Sequence, residues 1–236
     1  MTDTSRPCRT HPDIVAFQYP LPYLAQALQK QRKIKIVAIG SSSTAGALNV
    51  LPFPARLEFA LRSDAFFYGR MIDVINRGIG GQEAPEEISR FECDVIAEEP
   101  ALLIWQVGSN AVFHNLDHNP ADISAALDAG LSWLAQRPMD VVLMDLQRTT
   151  AIVGKDKIDL AINIENRILA AAEKAKVNVF KRWALMEQWV KEGADVDKDL
   201  TDPADTQYHL HMSDWATGCV TQALFESINA VLQPVV

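Results

Sequence analysis

The sequence predicts an α/β fold, a three-layer α/β/α sandwich around a five-stranded parallel sheet in the flavodoxin-like order 2-1-3-4-5. Three observations carry that prediction. Short apolar runs alternate with longer segments of helical period about five times. The runs are apolar nearly throughout, as in strands covered on both faces; Ala101–Val107 (A-L-L-I-W-Q-V) is the clearest. No internal repeat, low-complexity segment or linker interrupts the alternation, and 236 residues suit one large α/β domain.

Taken in order, residues 1–20 are rich in Pro and polar residues and read as a loose N-terminal arm, leaving 21–236 as a single domain. Leu21–Gln31 is a short helix opened by prolines. Strand one, Ile34–Ile39, is β-branched and stops at Gly40. Pro54–Ser63 follows as a helix, and Arg70–Asn76 as an alternating second strand ending in a glycine-rich turn. Pro85–Glu98 reads as one helix with Ile88, Phe91, Val95 and Ile96 on one face. Pro100 ends it before strand three, Ala101–Val107. The remaining elements are helix Pro120–Gln136, strand Val141–Leu146, helix Ile158–Lys176 and strand Val177–Phe180. After them come helix Trp183–Lys191, an acidic loop Gly193–Gln207, and the amphipathic helix Trp215–Leu232.

Composition excludes several function classes. The formal net charge of -8, with no Lys/Arg cluster, argues against sequence-independent nucleic-acid binding. No apolar run reaches the roughly 18 residues a membrane span needs. The three cysteines, Cys8, Cys93 and Cys219, are odd in number, far apart and without metal-type spacing, so no disulfide framework or zinc site is expected. With no apolar signal segment, the expected compartment is the cytoplasm. No cofactor and no metal are expected. His114 and His118 stand four apart without a third ligand and read as loop histidines. The acidic run Asp195–Asp205 lacks the EF-hand pattern and reads as a solvated loop.

Chemistry is expected at the carboxyl edge of the sheet, where parallel strands present their loops. Four polar stretches qualify: Gly40–Gly46 (G-S-S-S-T-A-G), Asn76–Gln82 (N-R-G-I-G-G-Q), Gly108–Asn110 (G-S-N) and Tyr208–Asp214 (Y-H-L-H-M-S-D). Between them they hold hydroxyls, glycines whose N–H groups can approach a ligand, a side-chain amide and histidines. A nucleophile, a general base and an oxyanion hole need those parts. Ser41, Ser43 and Thr44 read as turn and capping residues, as Ser42 would too if it stood alone.

These four stretches, in this order, resemble the sequence blocks of the SGNH (GDSL) hydrolases over Ile34 to about Leu232. Ser41, Gln82 and Ala111 depart from the family pattern, and Tyr208 stands where the acid before the histidine is expected. The resemblance implies a serine esterase acting on small-molecule acyl esters, with thioesters also open. It implies Ser42 as nucleophile, His211 as base, and Ser42 N, Gly81 N and the Asn110 amide as oxyanion donors. What orients His211 stays open among Asp205, Asp202 and a backbone carbonyl, and His209, four residues after Asp205, is a rival base. Leu51, Phe53, Val112 and Phe113 are candidates for an acyl pocket or for core packing. Two other readings are a non-catalytic ligand-binding protein that keeps the pocket, and a flavin- or phosphate-binding protein of flavodoxin type. The sequence leaves the oligomeric state unread.

Overall fold

The computed structural model describes residues 6–47, 49–114 and 119–233. Its centre is a sheet of five parallel strands, β1 (Lys33–Gly40), β2 (Met71–Gly78), β3 (Leu102–Gln106), β4 (Asp140–Met144) and β5 (Asn178–Phe180). Their order is β2-β1-β3-β4-β5, as expected.

Strand alternation explains the three layers. Ile34, Ile36 and Ala38 of β1 point into one apolar cluster, and Val37 and Ile39 into another. The first cluster packs the sheet against α1 (Pro12–Val15), α2 (Pro22–Lys30), α4 (Phe53–Ser63), α10 (Arg182–Lys191) and α11 (Asp214–Leu232). The second packs it against α5 (Ala84–Ser89), α6 (Phe91–Asp94), α8 (Pro120–Leu134) and α9 (Ile158–Ala175). A strand apolar on both faces therefore has a covering layer on each, and each fully buried Ile or Leu contributes about 2 kcal/mol. Asp140, at the start of β4, fastens α2 to the sheet by accepting the Leu24 N–H at 2.8 Å.

Three expectations change. The helix expected over Pro85–Glu98 is broken into α5, α6 and a 3₁₀ turn at Ile96–Glu98. The break suits a charged partner: Arg90, between α5 and α6, reaches back to Gln82 and to the end of β1. Two short helices replace expected turns, α3 (Ser42–Ala45) and α7 (Ser109–Phe113). The arm is not loose along its described part: Val15 is buried, and the Nε1 groups of Trp215 and Trp189 donate to the carbonyls of Arg6 and Arg9.

Glu87 on α5 is buried, and its Oε2 accepts the Trp105 Nε1–H at 2.6 Å. Burial pushes its carboxyl up to about 8. An unfolded chain releases that proton near pH 4.3. Between those values the folded state holds a proton the unfolded state has lost, so stability falls as pH rises through the window and then levels off. Glu87→Gln keeps an acceptor for Trp105 and is expected to remove this fall. In urea denaturation it should match the wild type near pH 4.5 and exceed it by on the order of 3 kcal/mol at pH 8.5. Parallel pH profiles for the two proteins would refute the buried charge.

Candidate active site

The register brings three strand ends level: Gly40 pairs with Gly78, and Ile39 with Trp105. The strand order reverses at β1, where the chain leads to β2 on one side and β3 on the other. That is where open α/β sheets leave a crevice. The loops after β1, β2 and β3 enter it, and the segment before α11 joins them.

The first loop is the helical turn α3, with Ser42 at its first position. Two neighbours hold it. The Gln106 Oε1, at the end of β3, accepts from the Ser41 N–H at 3.1 Å and from the hydroxyls of Ser41, Ser43 and Thr44 at 2.9–3.2 Å. Three of the four consecutive hydroxyls are thus committed to one amide oxygen, and Ser42 is left. On the other side, Asn76 Nδ2 donates to the carbonyls of Thr44 and Ala45 at 2.8 and 3.2 Å, satisfying acceptors at the end of the turn. A side chain at Gly78 would lie 2.1 Å from the Ala45 nitrogen, so only glycine lets α3 rest on β2.

The glycine turn closes over Ser42. A Cβ at Gly80 would come within 3.8 Å of the Ser42 Cβ, and Gly81 has φ of +82°, a conformation glycine adopts without strain. Gln82 fixes the turn at two points. Its side-chain oxygen accepts from Arg90 Nε at 2.7 Å, and its carbonyl accepts from Asn110 Nδ2 at 2.9 Å. Asn110, buried on α7, thereby spends one N–H on the turn, and among the described residues its second has no acceptor. Among the described residues, the N–H groups of Ser42 and Gly81 have no intramolecular acceptor.

The fourth element delivers the histidine. The Leu210 carbonyl accepts from Gln147 Nε2 at 2.7 Å and Thr149 Oγ1 at 2.8 Å, and the His211 carbonyl accepts from the Asp202 N–H at 2.8 Å. Beyond it, Ser213 caps α11 by accepting the Ala216 N–H. With its backbone pinned on both sides, His211 turns Nε2 to Ser42 Oγ at 3.0 Å and Nδ1 to Asp205 Oδ2 at 2.7 Å.

Of the three options for orienting the ring, the structure selects Asp205. Asp202 turns away and caps its own loop through the Ala204 N–H. Asp205 is nearly fully buried, and its Oδ2 also accepts the N–H groups of Leu210 and His211, with Tyr208 N–H on Oδ1. Burial works against its charge, but these donors and the imidazole outweigh it and hold the carboxyl below the usual aspartate value. His209 reaches φ of +50° so that the loop can fold the carboxylate back onto the ring two residues on. The His209 side chain is itself half exposed, 3.9 Å from Asp197.

The remaining candidates separate. Phe53 and Val112 are core residues without exposure. Leu51 is exposed, and Phe113 packs edge-on against the half-exposed Tyr208. The hollow beside the serine is lined by Ser42, Ser43, Val50, Pro52, His211 and Met212, among others, and holds about 20 Å³. A larger cavity of about 540 Å³ lies at the opposite edge of the sheet, near Lys33 and Met139, and does not reach Ser42. His118 lies outside the described residues. Among those residues no three metal-binding side chains converge, and no helix is long and apolar enough to cross a membrane. The site thus aligns a hydroxyl, an imidazole and a carboxylate beside the glycine turn that Asn110 braces through the Gln82 carbonyl. That set can activate an alcohol and stabilise a negative oxygen.

Comparison with known proteins agrees with this architecture. The chain superposes on Axe2, an acetylxylan esterase from Geobacillus stearothermophilus, with a TM-score of 0.67 and 18% identity, over 83% of this chain and 94% of that one. LAE5, an alpha/beta hydrolase enzyme from the metagenome of Lake Arreo, gives 0.68 and 15%, over 84% and 96%. A putative lipolytic protein of G-D-S-L family from Desulfitobacterium hafniense DCB-2 gives 0.62 and 18%, over 82% and 98%. At these identities the likeness is one of fold. No curated protein sequence shows significant similarity to the chain. The profile of the non-GDSL lipase-like family matches residues 7–234, nearly the whole length. The chain belongs to that family.

Proposed function

We propose that the protein is a serine esterase that hydrolyses small acyl esters through an acyl-enzyme on Ser42. Membership of a lipase-like family makes it a hydrolase of ester bonds. The observation that carries the finer reading is the line Ser42 Oγ, His211 Nε2, His211 Nδ1, Asp205 Oδ2, at 3.0 and 2.7 Å.

In this reading His211 Nε2 takes the Ser42 proton as Oγ attacks the ester carbonyl. Asp205, charged and buried, holds the ring with its proton on Nδ1 and steadies the imidazolium. The carbonyl oxygen becomes an oxyanion, met by the N–H groups of Ser42 and Gly81 and the second N–H of Asn110. His211 then gives its proton to the departing alkoxide. Water, deprotonated by the same nitrogen, attacks the acyl-enzyme and regenerates Ser42. The hollow beside Ser42 is small, which favours a small acyl group there with the alcohol part toward solvent. Axe2, by its description an acetylxylan esterase, is a neighbour with which such a preference is consistent. Asp205, 2.7 Å from His211 Nδ1, favours this reading over a non-catalytic ligand-binding protein.

A fluorophosphonate tests the nucleophile directly, because it phosphonylates an activated serine far faster than an ordinary hydroxyl. Peptide mass spectrometry is expected to find one adduct, on Ser42. Labelling on another residue, or none under conditions that label a known serine esterase, would overturn the assignment.

A further inference from the structure

Cys8 and Cys219 come from opposite ends of the sequence and meet in the fold. Arg6 and Arg9 are anchored on either side of Cys8. The Arg6 carbonyl accepts the Trp215 Nε1–H at 3.1 Å, and the Arg9 carbonyl the Trp189 Nε1–H at 2.7 Å. The two indoles pack together at 5.2 Å between ring centres. Thr10 Oγ1 donates to Glu226 Oε2 at 2.5 Å, two turns along α11 from Cys219. The segment is therefore held over α11 on both sides of Cys8, which lies between the residues that meet Trp215 and Glu226, and Cys219 lies between those two on α11.

We propose that Cys8 and Cys219 form a disulfide under oxidising conditions and so lock the N-terminal arm onto α11. The two thiols differ in the way a stepwise reaction needs. Cys8 is exposed to an oxidant in solution, while Cys219 is 3% exposed and out of reach of one. The neighbouring Cys219 holds the Cys8 thiol below the usual value, while Cys8 and burial push Cys219 up, so the exposed sulfur is the one that carries the thiolate. A hydroperoxide is the oxidant class. The Cys8 thiolate attacks one peroxide oxygen, forming a sulfenic acid and releasing hydroxide. The Cys219 sulfur then attacks Cys8, the S–S bond forms, and the sulfenic oxygen leaves as water. Two thiols lose two electrons and two protons, and one hydrogen peroxide becomes two waters. Because the arm is already seated, the bond closes a very long loop with little rearrangement, the case in which a crosslink constrains the unfolded chain most.

The test needs no substrate and stands whatever the esterase assays show. The wild type and Cys8→Ser, whose change is on the surface, are treated with hydrogen peroxide and then alkylated. They are digested without reductant, and thermal unfolding is followed before and after dithiothreitol. The expected result is a linked peptide pair carrying Cys8 and Cys219, with Cys93 alkylated. The wild-type Tm should rise by about 10 °C, reversed by dithiothreitol, with no rise in Cys8→Ser. Full alkylation of Cys8 and Cys219 after peroxide, further oxidation of Cys8 without linkage, or crosslinks through Cys93 or between chains would each overturn the proposal.

Discussion

Ser42→Ala is expected to lower kcat for p-nitrophenyl acetate by roughly 10⁶-fold while leaving the fold intact, and His211→Ala by a similar factor. The size follows from how the parts depend on one another. Ser42 Oγ has one described partner, His211 Nε2, because its neighbours' hydroxyls are all turned to Gln106. Without the hydroxyl no acyl-enzyme forms, and without the imidazole the hydroxyl keeps its proton. The double variant should therefore be little worse than either single one. What survives would come from the oxyanion donors acting on water, which the substitutions leave in place. Stability should hardly change, since the Ser42 hydroxyl fastens no loop. Ser43→Ala supplies the control: it removes one of four donors from Gln106 Oε1 and should leave most of the rate. A Ser42→Ala protein within tenfold of the wild type, or a Ser43→Ala protein that is the dead one, would sink the proposed mechanism.

The sheet was legible because its signal is local. Apolar runs such as Leu102–Gln106 and the glycines that end β1 and β2 state strand, layer and turn within a few residues. The four polar stretches were legible for the same reason: each is contiguous and follows a strand end. The broken helix Ala84–Asp94 was not, because its apolar spacing fits one helix and the break answers to Arg90 reaching Gln82 and Gly40. Helix α3 was hidden because what stabilises it, Gln106 and Asn76, lies on other strands. The same holds for the arm, whose acceptors are backbone carbonyls met by distant tryptophans. The orienting acid lies between these cases. Asp205 and Asp202 are both visible near His211. The choice turns on one left-handed residue, His209, and on N–H groups that point inward only once the loop is folded.

That loop makes the second large effect specific. Asp205→Ala is expected to cost about 10⁴ in kcat, and Asp205→Asn only about 10². Where replacing the acid by its amide costs a serine hydrolase as much as 10⁴, the loss arises because the amide stabilises the wrong ring tautomer. Here the amide is not free to choose. The Oδ2 position faces three donors, the N–H groups of Leu210 and His211 and the ring Nδ1, while among the described residues Oδ1 faces only the Tyr208 N–H. An asparagine minimises opposed donors by placing its oxygen toward the three and its NH₂ toward the one. The ring then keeps its proton on Nδ1 and Nε2 still faces Ser42. What is lost is the charge that steadies the imidazolium, worth about 1.5–3 kcal/mol for a hydrogen bond to an ionised group. The native carboxylate also contributes stability above the unfolded aspartate value near 3.9, lost as pH falls through its lower folded value. Both variants should therefore lose some stability at pH 7, and less of it once the pH has fallen below the lowered folded value of Asp205. Rates for Asp205→Ala, Asp205→Asn and Asp202→Ala on one ester decide the matter. If Asp202→Ala is the slowest, the acid is misassigned; if Asp205→Asn is as slow as Asp205→Ala, the two backbone N–H groups do not control the tautomer.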